Sequence, residues 1–398
     1  MTGRAPGLNQ FIIKVASRCN LNCSYCYVYN QADTSWRNRP ARMSSETWEA
    51  TLERIRAHCI ANGRERVELI FHGGEPTLIG STRLASMCGR ARERLEDVAQ
   101  VRLSIQTNAT RLNPDWVAIL REHDVGVGVS LDGPKEVNDR YRVDHRGRGS
   151  HDRVAHGIAL LREAGVPFGI LSVVAPGEDP LRIHRHFIEL GCGSVSYLLP
   201  SVTREEAAEL RGRFGPTPCA DFLIPIFDEW WCNETLEVRI REFWSIGRVI
   251  MGGRSLVDSI GNPPLRFVTV ETDGSIHGVD NLRTAVDGLT GTSLNVHRAG
   301  FGDIAHASPL HDAVMRGLPL PTGCRDCPES ETCAGGYVPA RYSQERQFDN
   351  PSMWCADLLA LFTHVRARMG VSYEETRARR QALEGGAAQV PAIAGSSS

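Results

Sequence analysis

Residues 19–26 read Cys19-Asn20-Leu21-Asn22-Cys23-Ser24-Tyr25-Cys26 and follow directly on the β-rich run Phe11 to Ala16. Three thiols therefore share one loop at the end of a strand. Three thiolates can hold three irons of a [4Fe-4S] cube and leave the fourth iron open, whereas a structural cluster or zinc site is normally closed by a fourth protein ligand. The plainer alternative is three loop cysteines that are merely buried, or that bind zinc with a distant fourth ligand.

Outward from this loop, short β-rich runs alternate with helical patterns as far as Pro200. Strands are expected at Phe11 to Ala16, Val67 to His72, Val101 to Thr107, Val125 to Leu131, Phe168 to Val174 and Val195 to Leu199. Between them Ser45 to Ile60, Thr82 to Val98, Pro114 to Glu122, Ser150 to Ala164 and Pro180 to Leu190 carry apolar residues at helical spacing. Six such units predict an α/β fold, a partial (β/α)6 TIM barrel over residues 1–200, with its chemistry at the C-terminal strand ends. Residues 201–262 read as a helical bridge, with helices at Phe222 to Leu236 and Val238 to Met251. A small loop-rich, cysteine-bearing extension follows over 263–370, opened by a hairpin in which Asp273-Gly274 joins Phe267 to Thr272 and Ser275 to Val279. A helix from Asp357 to about Leu383 closes the fold, and residues 371–398 hold its end and a disordered Gly, Ala and Ser-rich tail.

Composition narrows the partners. Of 398 residues 41% are hydrophobic, enough for a large core, and 45 basic residues stand against 47 acidic ones. That balance gives no field to draw in nucleic acid or an anionic membrane. No apolar run approaches the roughly 20 residues of a membrane span, and Met1 to Gly7 lacks a signal-peptide core, which predicts a cytoplasmic protein. Cytosolic thiols stay reduced, so the 12 cysteines, seven of them clustered, point to metal rather than disulfides. Cys59, Cys88, Cys192, Cys219 and Cys232 read as buried core thiols.

Polar motifs sit at the strand ends. His72-Gly73-Gly74-Glu75-Pro76 follows the second strand, where glycines permit close backbone approach and a carboxylate complements an amine; in isolation it would be a turn. Gln106-Thr107-Asn108 ends the third strand and Ser130-Leu131-Asp132-Gly133-Pro134 the fourth. Arg140 and Arg142 on their own read as solvated helix-side charges, although a guanidinium can form a forked pair with a carboxylate. Gly126-x-Gly128 lacks the third glycine and helix start of a dinucleotide site. Cys324-x2-Cys327-x5-Cys333, with Cys355 22 residues later, is a closed set of four thiolates that alone would read as structural zinc.

Taken together, residues 10 to 200 resemble the radical S-adenosylmethionine (SAM) superfamily. The resemblance implies that Cys19, Cys23 and Cys26 hold a [4Fe-4S] cluster whose open iron binds SAM, and that one electron cleaves SAM to methionine and a deoxyadenosyl radical. It places Tyr25 near the adenine and Gly73, Gly74, Glu75, Gln106, Asn108, Ser130 and Arg142 around the cofactor. The second cysteine set resembles the SPASM extension of radical SAM maturases, so Cys324, Cys327, Cys333 and Cys355 are expected to ligate one auxiliary [4Fe-4S] cluster. A second auxiliary cluster is expected to be lost, because Val279 stands where a cysteine would follow Gly274 and Tyr337 where another would follow Cys333. Asp280 matches the acid that sulfatase-maturing relatives use to accept a substrate proton; its other reading is a turn residue beside Asn281.

Tyr27-Val28-Tyr29-Asn30, Asp33-x-Ser35-Trp36 and Phe348-Asp349-Asn350-Pro351-Ser352-x-x-Cys355 are similar to peptide maturases of the Fxs, Grr and Xye type. That likeness implies hydrogen abstraction from a ribosomally made precursor peptide and an oxidative, cyclophane-type cross-link, with flavodoxin or ferredoxin as reductant. With no N-terminal segment long enough for a dedicated leader-binding domain in view, the peptide is expected to be recognised by the barrel, the extension or a separate partner. Two alternatives stay open: an anaerobic sulfatase-maturing, formylglycine-generating enzyme, against which the missing second auxiliary cluster weighs, and a non-enzymatic iron-sulfur or zinc protein.

Overall fold

The computed structural model describes residues 7–233 and 238–385. In chain order the strands and helices are β1 (Gln10–Ala16), α1 (Ser45–Asn62), β2 (Arg66–Gly73), α2 (Ser81–Leu95), β3 (Gln100–Thr107), α3 (Pro114–Glu122), β4 (Val125–Ser130), α4 (Lys135–Tyr141), α5 (His151–Glu163), β5 (Phe168–Val173), α6 (Pro180–Glu189), β6 (Ser194–Leu198), α7 (Arg204–Phe214), α8 (Pro218–Cys232), β7 (Arg239–Ile240) and α9 (Arg241–Ile250). The hairpin β8 (Phe267–Val270) and β9 (Ser275–His277) follows, then β10 (Gly291–Asn295), α10 (Ile304–Ala307), α11 (Pro309–Arg316), α12 (Ser330–Cys333), α13 (Cys355–Met369) and α14 (Tyr373–Glu384). This is the α/β class expected, with a cysteine-bearing extension after the βα repeats.

The chain forms two compact units, one of residues 1–170 and 264–316 and the other of 171–263 and 317–398, and the boundary falls within β5. In the first unit the strands are hydrogen-bonded in the order β10-β9-β8-β1-β2-β3-β4. β1 to β4 are parallel neighbours in sequence order, as in a barrel wall, and β8 pairs parallel with β1 on its other side. One lane of each strand is apolar and buried: Phe11, Ile13 and Val15; Val67, Leu69 and Phe71; Val101, Leu103 and Ile105; Val125, Val127 and Val129. This lane faces the helices, with Phe11 against His58 of α1 and Phe71 against Trp48. The opposite lane carries Lys14, His72, Ser104, Gln106, Gly128 and Ser130 and creates a polar face, as the period-2 alternation requires.

In the second unit β6 pairs parallel with β7. Phe227 of α8 packs on Trp230, Trp231, Phe243 and His364, which joins α8, α9 and α13. The buried Asp357 carboxylate on α13 accepts hydrogen bonds from the Cys219 and Ala220 amides in the first turn of α8, at 2.7 and 3.0 Å.

Several elements differ from expectation for local reasons. α8 starts at Pro218, because a proline in the first turn has no amide to waste there, and ends at Cys232; the rest of the expected Phe222 to Leu236 run lies partly outside the described residues. The expected helix from Val238 instead opens with the short strand β7. The single closing helix is two helices broken at Gly370, whose φ of 62° is left-handed. The terminal tail beyond residue 385 falls outside the described residues. Cys232 is exposed rather than buried, with its sulfur 3.1 Å from Arg368 Nη2. Among the described residues no helix is long and apolar enough to cross a membrane.

Candidate active site

The three cysteines of the first loop lie on a backbone that turns back on itself. The Cys26 amide donates to the Cys23 carbonyl at 3.0 Å and the Asn30 amide to the Cys26 carbonyl at 2.9 Å. The Cys19 sulfur receives the Leu21 amide at 3.4 Å and the Asn108 side-chain amide, from the end of β3, at 3.8 Å. Burial pushes all three thiols up, Cys19 to about 12. Among the described residues Glu271, His277 and Asp280 offer ligand atoms that all lie within 4.8 Å of one another.

Around the loop, Tyr25 donates its hydroxyl to Asp132 and accepts from Arg142 Nη1 at 2.8 Å, while Arg142 Nε is buried without a partner. Gln106 donates to the Ser130 hydroxyl at 2.9 Å. Gly128 makes this possible, because a Cβ there would sit 2.2 Å from Gln106 Oε1. Glu75 is fully engaged: its carboxylate accepts from the Thr77 amide and hydroxyl, the Thr107 hydroxyl and the Asn108 amide, at 2.6–3.0 Å. Gly73 and Gly74 admit the chain's own backbone. A Cβ on Gly73 would lie 2.1 Å from the Ala16 carbonyl oxygen, and one on Gly74 1.9 Å from the Tyr29 hydroxyl and 2.4 Å from the Arg18 carbonyl oxygen.

Asp280 lies in a buried ionic network that sequence reading did not anticipate. Its carboxylate meets Lys14 at 2.7 Å and Arg283 at 2.6 Å and accepts from the Tyr27 hydroxyl at 3.0 Å. Glu271 meets Lys14, Arg39 and Arg283, and Arg283 also reaches Asp33 at 2.8 Å. Burial alone would raise the Asp280 and Glu271 carboxyls, but Arg283 and Lys14 outweigh it and hold Asp280 well below the usual carboxylate range and Glu271 at about 2. Lys14, Arg39 and Arg283 thus answer Asp33, Glu271 and Asp280, and Arg39 also lies 3.8 Å from the half-exposed Asp273. Sequence reading also passed over His72, which pairs in register with Lys14. The signal for both was the polar lane of alternating residues on β1 and β2.

In the second unit the four remaining candidate ligands converge. Burial and then the neighbouring thiols Cys355, Cys324 and Cys327 push Cys333 up to about 12. Cys324 and Cys327 flank a turn in which the Cys327 amide donates to the Cys324 carbonyl at 3.2 Å, and Cys355 begins α13, where the helix dipole favours a thiolate.

Comparison with known proteins assigns the domain. The model of the radical SAM superfamily matches residues 13–190. Residues 13–190 form a radical SAM domain. Such a domain works with SAM and a [4Fe-4S] cluster, and three thiols in one loop, with two N–H donors turned to the Cys19 sulfur, fit that pair. One auxiliary [4Fe-4S] cluster completes the cofactor set, fitted by the closed set of four thiols.

The radical SAM domain and its extension are 27% identical to the serine-type anaerobic sulfatase-maturating enzyme of Bacteroides thetaiotaomicron, over 93% of this chain and 92% of that one. They are 25% identical to the cysteine-type anaerobic sulfatase-maturating enzyme of Clostridium perfringens, over 92% and 98%. The structure of native anSMEcpe with bound AdoMet and the Cp18Cys peptide superposes with a TM-score of 0.75 at 22% identity, covering 90% of this chain and 97% of that one. These relatives overturn the expected cyclophane-forming cross-linker. That expectation rested on three short tracts between Tyr27 and Cys355, whereas the likeness to sulfatase-maturating enzymes runs through nearly the whole of both chains.

Proposed function

We propose that this protein is a sulfatase-maturing enzyme, which oxidises a serine or cysteine side chain of a sulfatase peptide to formylglycine. The observation that carries this reading is the likeness to both serine-type and cysteine-type sulfatase-maturating enzymes across more than nine-tenths of the chain. A peptide partner is supported by the peptide-bound state of the structural relative. When bound, SAM and the first cluster supply one-electron chemistry that removes a hydrogen atom from an unactivated C–H bond.

The chain's own residues prepare that event. Cys19, Cys23 and Cys26 would hold the first cluster through three thiolates. Arg142, held by Tyr25, keeps a buried Nε without a hydrogen-bond partner and would serve the carboxylate of SAM, while Tyr25 would serve its adenine. Gln106 and Ser130 present a linked amide and hydroxyl to the ribose or carboxylate. Glu75 fixes the Asn108 backbone at the end of β3, while Gly73 and Gly74 let the loop after β1 lie against the end of β2. Cys324, Cys327, Cys333 and Cys355 would hold the auxiliary cluster. Flavodoxin or ferredoxin serves as reductant.

The test is an anaerobic reaction of the protein with SAM, a one-electron reductant and a sulfatase peptide bearing serine or cysteine at the modified position. A hydrazide-reactive aldehyde at that position is expected. A peptide lighter by two hydrogens but inert to hydrazide, or an unchanged peptide despite deoxyadenosine release, would contradict the reading.

A further inference from the structure

Resting on the proposed use of a protein reductant, and independent of the sulfatase reading, we propose that the basic hairpin packed on the first cysteine loop is the docking surface for an acidic one-electron carrier protein.

The hairpin is Arg140-Tyr141-Arg142-Val143-Asp144-His145-Arg146-Gly147-Arg148. Its backbone lies directly on the loop of Cys19, Cys23 and Cys26. The Asn22 amide donates to the Val143 carbonyl at 2.7 Å and the Ser24 amide to the Tyr141 carbonyl at 3.0 Å, so both neighbours of Cys23 are tied to it. Leu21 forms an antiparallel bridge with Asp144, and His145 Nε2 lies 2.9 Å from the Cys19 carbonyl oxygen. Asn20 also donates to the Thr110 hydroxyl at 2.8 Å, which puts Arg111 one residue from a loop contact.

Asp144 gives the tip its shape. Its buried carboxylate accepts from the Arg146 and Arg148 amides at 2.9 and 3.0 Å and from Arg148 Nε at 2.9 Å. The turn is thus held from within, and Gly147 supplies the left-handed φ of 74° that it needs. What the turn leaves outside is charge of one sign. Residues 19–30 carry no charged side chain, and the exposed charged residues of 109–113 and 140–148 are Arg111, Arg140, Arg146 and Arg148. Asp144, the acid of these segments, is spent on the turn and on Arg148. Neither Arg111 nor Arg146 meets an acid among the described residues.

In a chain whose net charge is −2 this field is local and reaches about 10 Å at 0.1 M salt. Such a patch selects an acidic partner through encounter rate more than through buried area, and electron-transfer pairs meet over small, transient interfaces of this kind. An electron needs only close approach, and the hairpin is one hydrogen bond from the residues that bear or flank the thiols. A substrate peptide must instead reach the polar lane of the sheet, where Gln106 and Ser130 stand. The step balances: the carrier is oxidised by one electron, the oxidised cluster is reduced by one, and no atom is transferred.

The test uses reconstituted holoenzymes of wild type, the double variant Arg111→Glu/Arg146→Glu and the conservative Arg111→Lys/Arg146→Lys. Deoxyadenosine and formylglycine are quantified with limiting reduced flavodoxin, with limiting reduced ferredoxin and with excess dithionite, and binding of oxidised flavodoxin is measured by titration calorimetry. At roughly 0.01 M ionic strength, carrier-driven deoxyadenosine formation should be about 10-fold or more slower in the glutamate variant, with weaker flavodoxin binding. The difference should vanish near 1 M, where the Debye length is about 3 Å. Dithionite-driven rates and cluster absorption should match wild type in both variants, and the lysine variant should keep most of the carrier-driven rate. Carrier-driven rates that survive the glutamates, or a loss that salt does not change, overturn the proposal. So does a fall in the dithionite-driven reaction: loss of deoxyadenosine would assign the two arginines to the cofactor, and loss of formylglycine alone would assign the patch to the peptide. Wild type that makes deoxyadenosine from dithionite but from neither carrier sinks the use of a protein reductant, and this proposal with it.

Discussion

Arg283 has no exposed surface, and each of its terminal nitrogens meets an acid: Nε with Asp280, Nη1 with Asp33, Nη2 with Glu271. Removing one member of a buried ion pair costs more than the pair itself contributes, because its partners remain desolvated and unpaired. Arg283→Leu should therefore destabilise the protein by about 3–5 kcal/mol, read as a lower midpoint in chemical denaturation, and an unchanged midpoint would mean that the network is not closed as described. None of this was legible in the sequence. Asp33 and Arg283 are 250 positions apart, and only the pairing of β8 with β1 brings Glu271 beside Lys14. The cysteines were legible for the opposite reason, since a C-x3-C-x2-C loop fixes its own local geometry. Asp280 could be picked from its position, but its ion pairs could not.

At the level of elements, the strand positions were readable because one lane of each strand is apolar and the runs are short and bounded. The same alternation held the missed information: Lys14, His72, Gln106 and Ser130 are the polar lane, and two of these four were singled out only through their motifs. Helix ends were less readable where a single residue decides them, as Gly370 does between α13 and α14. Gly74 shows how tightly the elements meet. Gly74→Ala places a methyl 1.9 Å from the Tyr29 hydroxyl and 2.4 Å from the Arg18 carbonyl oxygen, so the loop after β1 must move. A marked loss of thermal stability is expected, recovered only in part by adding Tyr29→Phe, since the Arg18 backbone remains. Full recovery in the double variant, or no loss in the single one, would show that this approach is looser than described.

On the scale of the whole molecule, the α/β class and the cysteine-bearing extension followed from pattern, while the function did not. Short tracts near the first loop and before Cys355 pointed to cross-linking maturases, and likeness along the full chain points to sulfatase maturation. Local motifs report the chemistry of a loop; substrate choice is spread over surfaces that no single tract encodes. The central claim is that the chain carries two iron-sulfur clusters, one with an iron left open by Cys19, Cys23 and Cys26 and one closed by Cys324, Cys327, Cys333 and Cys355. The most direct measurement is the electron paramagnetic resonance of anaerobically reconstituted, reduced protein with and without SAM, together with its iron content, in wild type and Cys355→Ser. The account predicts roughly eight irons per wild-type chain, a spectrum of which one component changes on adding SAM, and a Cys355→Ser variant that keeps that component while the other is lost or altered. Zinc as the bound metal, or a spectrum indifferent to SAM, would contradict it.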